Sequence, residues 1–155
     1  MTITPKTIAV TILTGSIIYF LWTLSSSQQA KTVQNAPSKL LNNSYQTQES
    51  SEASVTVSVA PRVLFIDERP VFDVIFETHS VELAFDVAEV TTLVDQNGND
   101  LGKSSWNGSS PGGHHRNGTL SFAKPLPKST QRVILTLKDI AGIAKRTYTW
   151  EVKRS

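Results

Sequence analysis

The sequence predicts an all-β fold: an antiparallel immunoglobulin-like or fibronectin-like β-sandwich of seven or eight strands, preceded by an N-terminal transmembrane helix and a disordered tether. Three observations predict it. From residue 55 onward apolar and polar residues alternate with the period of a half-buried strand, as in Val55, Val57 and Val59 around Thr56 and Ser58. Turn signals interrupt these runs at short intervals, among them Pro61, Asn97-Gly98 and Ala141-Gly142. Beyond residue 24 no segment sustains a helical period.

Taken in order, residues 1–24 read as a signal anchor. The stretch from Thr7 to Leu24 is uncharged and ends in Tyr19-Phe20-Leu21-Trp22-Thr23-Leu24, an aromatic end suited to a membrane interface. Its length reaches the lower edge of the roughly 17–25 residues that span a bilayer and exceeds the roughly 7–15 of a signal peptide's central region, which favours an uncleaved anchor. Cleavage near Ser25–Ser27 or after Ala30 is the alternative. Lys6 and the terminal amine place the N-terminus in the cytoplasm and leave the C-terminal domain outside it, in the periplasm or at the cell exterior, as a single-pass membrane protein. Residues 25–54 are rich in Ser, Gln and Asn and hold too few apolar residues to bury a core, so they read as a disordered linker with a reach of roughly 30 Å.

Residues 55–155 form the predicted sandwich domain. Val55–Val59 is the first strand, closed by Pro61. Phe72, Val74 and Phe76 mark a second, and Val81, Leu83 and Phe85 a third. Thr91–Asp95 leads into Gln96-Asn97-Gly98-Asn99, the signal of a tight hairpin turn, and the chain returns through Leu101 toward Trp106. Gly118–Phe122 is a short strand. Val133, Leu135 and Leu137 follow, and a turn at residues 139–142 leads to Tyr148, Trp150 and Val152.

Composition excludes several function classes. The absence of cysteine removes disulfides, thiolate metal sites and cysteine nucleophiles. A net charge of +2 lacks the clustered basic face that nucleic acid requires, so no nucleic-acid partner is expected. Charge order is more informative. From Asp67 to Asp100 the charged residues are acidic except Arg69, and from Leu101 onward they are basic except Asp139 and Glu151. Within one domain the two halves are expected to face and neutralise each other.

The chemistry concentrates between Trp106 and Phe122, where glycines flank an adjacent histidine pair. Trp106, Gly112, Gly113, His114, His115 and Arg116 form the candidate binding loop. Imidazole suits copper and zinc, so His79, at the junction between the second and third strands, together with His114 and His115 forms a candidate metal set whose cofactor would be a copper or zinc ion. Neighbours on one strand point to opposite faces, so the adjacent pair chelates only if the loop relaxes that constraint. No Gly-x-Ser-x-Gly elbow is present and no carboxylate pair is anchored by a motif, so no catalytic activity is expected. Residues 95–100 have their glycine out of register for a calcium loop and lack a closing glutamate. Asn42, Asn107 and Asn117 begin glycosylation-type triplets, which the turn chemistry of the Asn-Gly pairs already accounts for at the last two. Trp150 alternates as a core strand residue, whereas Trp106 borders the loop and either packs beneath it or joins Trp150 and Tyr148 in an exposed aromatic platform.

Three stretches together, F-E-T-H-S-V-E-L-A-F-D-V at 76–87, G-G-H-H-R-N-G-T-L-S-F at 112–122 and K-D-I-A-G-I-A-K-R-T-Y-T-W-E-V at 138–152, resemble a group of uncharacterised prokaryotic exported or membrane-anchored β-sandwich proteins. The resemblance covers residues 71–152. It implies a prokaryotic, extracytoplasmic setting and a role for the histidines, and it names no activity. The expectation is therefore a membrane-tethered binding or interaction module without catalytic activity. Its partners would be the membrane, through the N-terminal segment, and a protein, met at the loops or by strand addition along an edge. The alternative is a cell-envelope copper- or zinc-binding protein.

Overall fold

A computed structural model describes residues 45–154. The expected anchor and the first part of the linker, up to residue 44, lie outside the described residues. Among the described residues no helix is long and apolar enough to cross a membrane.

Eight strands build two antiparallel sheets: β1 (Gln48–Glu52), β2 (Val55–Val63), β3 (Val71–Thr78), β4 (Thr91–Asp95), β5 (Ser104–Gly108), β6 (His115–Phe122), β7 (Arg132–Ile140) and β8 (Ile143–Glu151). One sheet has the order β1-β2-β3-β6-β5 and the other β4-β7-β8. The alternating residues supply the reason for the layering. Val55, Val57 and Val59 on β2, Phe72, Val74 and Phe76 on β3, and Leu120 and Phe122 on β6 turn one apolar face inward. Leu93 on β4, Val133, Leu135 and Leu137 on β7, and Tyr148 and Trp150 on β8 turn the facing one. The two faces share one core: the rings of Phe72 and Trp150 lie 5.3 Å apart, and the Tyr148 hydroxyl donates to the Val57 carbonyl at 3.2 Å. Burial pushes the Tyr148 phenol up to about 12, against the nearby positive charge of Arg146.

Three expectations need correction. First, β1 falls inside the stretch read as a disordered linker. Its side chains are mostly exposed, so hydrophobic pattern carried no trace of it. It is held through backbone pairing with β2 and through polar contacts. The buried Arg146 guanidinium donates to the carbonyls of Ser50 (3.1 Å), Glu52 (2.8 Å) and Val55 (3.2 Å), Thr149 N donates to the Gln48 side chain at 3.0 Å, and Trp150 Nε1 donates to the Gln46 carbonyl at 3.0 Å. The folded domain thus begins by Tyr45, whose hydroxyl donates to Leu64 O and accepts from Lys153 N. Second, Val81–Phe85 is not a strand. Leu83 is buried and Glu82 exposed, as the alternation predicted, but the backbone groups of this segment are satisfied by Arg116 and by Gly112 and Gly113 rather than by a neighbouring strand. Third, the Asn97-Gly98 turn forms, with Gly98 at φ 82°, yet only Asp100 returns to pair with Val94 before the chain crosses to the other sheet as β5.

The strand directions sort the connections into two ends. The turn at residues 53–54, the start of the 79–90 segment, the 109–114 loop and the turn at residues 141–142 share the end where β3 stops and β6 begins. Tyr45 sits at the other end, beside the β2–β3 connection.

Candidate functional site

The candidate loop is shorter than the sequence predicted. β6 starts at His115, so His115 and Arg116 are strand residues, Trp106 lies in β5, and residues 109–114 form the connecting loop. Trp106 points inward at the sheet edge, opposite Leu120 in the register, and its Nε1 donates to Ser109 O at 3.0 Å, which ties the loop to the ring beneath it. The facing glycines Gly108 and Gly118 make room for the ring. A Cβ on either would come within about 2.7 Å of Trp106 Cζ2 and as close to the backbone of the opposite strand.

Arg116 is a structural pin, not an exposed recognition residue. It is 2% exposed, and its guanidinium donates to Leu83 O at 2.9 Å, Phe85 O at 2.7 Å and Ser109 O at 3.3 Å, with its carbon 5.1 Å from the centre of the Phe85 ring. One side chain therefore holds two irregular segments in place, which accounts for an arginine at an inward position of β6. Burial lowers its proton affinity while the charge of Asp86 works in the opposite direction. Loop placement is completed by Glu82, whose carboxylate accepts from Gly113 N at 2.7 Å, and by Gly112 N, which donates to Leu83 O at 2.9 Å. Gly112 and Gly113 both take positive φ, 116° and 73°, in this turn. A cleft of about 260 Å³ opens beside Trp106 and Arg116, lined also by Asp86, Ser104 and Pro111.

The histidines divide. The imidazoles of His79 and His115 meet edge to face with ring centres 6.3 Å apart. His114 contributes its carbonyl, which accepts from Thr78 N at 3.0 Å and closes β3 onto the loop. The expected set of His79, His114 and His115 is not assembled: among the described residues no group of three or more His, Asp or Glu side chains is arranged to hold a metal ion. His115 already belongs to β6, opposite Glu77, whereas His114 lies in the loop before it and is held through its carbonyl. Glu77 went unnoticed in the sequence. It pairs with His115 across β3 and β6, and its carboxylate lies 4.0 Å from His115 Nδ1.

Compared with known proteins, the chain matches no protein-family model, no curated protein and no solved structure.

Proposed function

We propose that the chain is a membrane-tethered, extracytoplasmic binding module without catalytic activity, an immunoglobulin-like sandwich that meets a protein partner with the end formed by residues 79–82 and 109–114. The immunoglobulin-like assignment is supported by strand order. β2-β3-β6-β5 facing β4-β7-β8 follows the A-B-E-D and C-F-G order of constant-type immunoglobulin domains, with β1 as an added edge strand. The membrane and extracytoplasmic setting is supported by the uncharged stretch Thr7–Leu24, by the polar residues that follow it and by the prokaryotic resemblance.

One observation carries the choice of end. Tyr45, where the described chain begins, packs beside Leu64 and Lys153, while the glycine-rich loop lies at the far end of β3 and β6. A nine-residue strand such as β2 separates the two ends by roughly 30 Å, so a domain held from its Tyr45 end offers the loop end to partners.

Site-specific photocrosslinking in the native host tests this. A photoreactive amino acid replacing the exposed Ser110 is expected to give discrete protein adducts, and the same residue replacing Lys128, at the Tyr45 end, is expected to give none. Adducts from Lys128 alone would overturn the choice of end.

A further inference from the structure

β5 is the outermost strand of its sheet and pairs with β6 on one side only. The bonds from Ser109 N to Asn117 O and from Ala123 N to Lys103 O fix which backbone groups face β6. Residues 103, 105, 107 and 109 turn theirs toward it, and Ser104, Trp106 and Gly108 turn theirs away. Among the described residues, none of these outward N–H and C=O groups has a hydrogen-bond partner. The other edges are guarded. On β4, Leu93 O and Asp95 N are capped by Leu101 N and Asn99 O. β1 and β8 are tied to each other by Arg146 and Gln48, and Glu49, Glu52, Lys145 and Glu151 are among their exposed residues. Charge, proline and bulges are what keep a free edge from pairing, and Ser104–Gly108, reading S-S-W-N-G, has none of them.

The edge is complementary to itself. Antiparallel pairing with a second copy, about a twofold axis at Trp106, sets Ser104 opposite Gly108 of that copy and Trp106 opposite Trp106, which satisfies every outward group at once. A shift of two residues either way leaves Ser104 or Gly108 unpaired, so one register is preferred. On the outer face Ser105 then meets Asn107 of the second copy and Lys103 meets Ser109, so no like charges are opposed. On the inner face each Trp106 ring leans over its own β6, close to Gly118 and 6.3 Å from the Phe76 ring, which keeps the two indoles apart. Clefts of about 260 and 490 Å³, which share Ala88 and Ser104, leave the edge approachable on that face. A strand from a different protein would have to place its inward side chains in these clefts. Asp86 and Arg116 line one, and Glu89, Asp100, Lys103 and Lys124 the other, so neither offers the apolar pocket that selects a foreign strand.

We infer that two copies of this chain join through β5, antiparallel and in the register that opposes Trp106 to itself, so that their five-stranded sheets run on as one. A five-residue strand is far short of the roughly 20–30 residues a side of a standard interface, so the dimer is weak in dilute solution and forms where copies are held close together. The pairing uses the edge and not the loops, which makes it independent of the partner proposed for the loop end.

Because the chain has no cysteine, introduced thiols report the register. Two differently tagged full chains are co-expressed in the native host, one carrying Ser105→Cys and the other Asn107→Cys, and the cells are oxidised with copper phenanthroline. In the inferred dimer these positions are directly opposed, with Cβ atoms about 4.5–5.5 Å apart, and should give a disulfide-linked mixed dimer. Either variant expressed alone sets its thiols on the diagonal, roughly 7–8 Å apart, and should crosslink roughly fivefold less or lower. Sedimentation of the purified full chain over a concentration series is the second measurement. Ser105→Lys with Asn107→Lys opposes like charges at both cross-strand pairs and should weaken association by roughly fivefold, whereas Ser105→Glu with Asn107→Lys opposes unlike charges and should retain it. Both side chains are exposed, and unchanged far-ultraviolet circular dichroism would show that each variant folds. Absence of the mixed disulfide, equal crosslinking by either variant alone, or a double-lysine variant that associates as well as the natural sequence would overturn the inference. Disulfides to a different protein in place of the mixed dimer would give the edge to that protein and overturn it as well.

Discussion

Two buried arginines, Arg116 and Arg146, explain how a domain with this much irregular backbone is held together. Neither has a carboxylate partner among its hydrogen bonds. Each spreads its guanidinium over main-chain carbonyls, and the Nε of each has no hydrogen-bond partner. A planar fork with several donors can bridge segments that share no ladder, which an ammonium cannot do. Arg116→Lys should therefore cost about 3 kcal/mol in urea unfolding, because it strands carbonyls that are shielded from water. The exposed pairs Arg132–Glu151 and Lys128–Asp67, at 3.8 and 3.9 Å, contribute little by comparison. Asp95 gives a pH-dependent counterpart. Burial acts to raise its carboxyl, but hydrogen bonds from Asn99, Asn97 and Gly98 outweigh burial and hold it below the ordinary value of 3.8. Stability from a carboxylate lowered in this way is present above the unfolded value and is lost as the pH falls toward the folded one. Asp95→Asn should lose about 1 kcal/mol at pH 7, and the gap to wild type should close as both are titrated below pH ~4. A gap that stays constant across that range would show that the carboxylate charge is not what matters at this turn.

Among the elements, the long strands were legible from their alternating burial, Val81–Phe85 alternates without forming a strand, and the segments held by polar groups left no pattern to read. β2, β3, β7 and β8 could be read from their valines, leucines and aromatics. β1 could not, because it is held by backbone pairing and by polar contacts of Gln48, Ser50 and Glu52 with β8, none of which leaves an apolar alternation. Its turn was hidden for a related reason. Ala53 and Ser54 both take positive φ, 46° and 62°, where Asn-Gly would have announced a two-residue hairpin. Ala53→Asn combined with Ser54→Gly should raise stability by about 1 kcal/mol by relieving this left-handed pair, measurable as an upward shift in urea midpoint. The β5–β6 hairpin makes the opposite demand. Gly118→Ala places a methyl group 2.6 Å from Gly108 Cα and 2.7 Å from Trp106 Cζ2, and should cost about 2–3 kcal/mol with a change in tryptophan emission as the ring is displaced.

At the scale of the whole molecule, the candidate site was half legible. The glycine-rich stretch marked a real loop, and His79 follows the end of β3 beside it, although the second strand expected after it does not form. The sequence had no means of showing that β6 begins at His115, and that one boundary separates His114 from the pair and turns Arg116 from a surface group into a core pin. The proposed carriage of the sandwich outside the cytoplasm on an uncleaved anchor is open to one direct measurement. The chain contains no cysteine, so a single introduced thiol reports its own position without background. In intact cells of the native host, Ser110→Cys in the full chain should react with a membrane-impermeant maleimide, on a protein that stays in the membrane fraction through alkaline carbonate extraction. Labelling only after the cells are broken open, or recovery of the labelled chain in the soluble fraction, would contradict it.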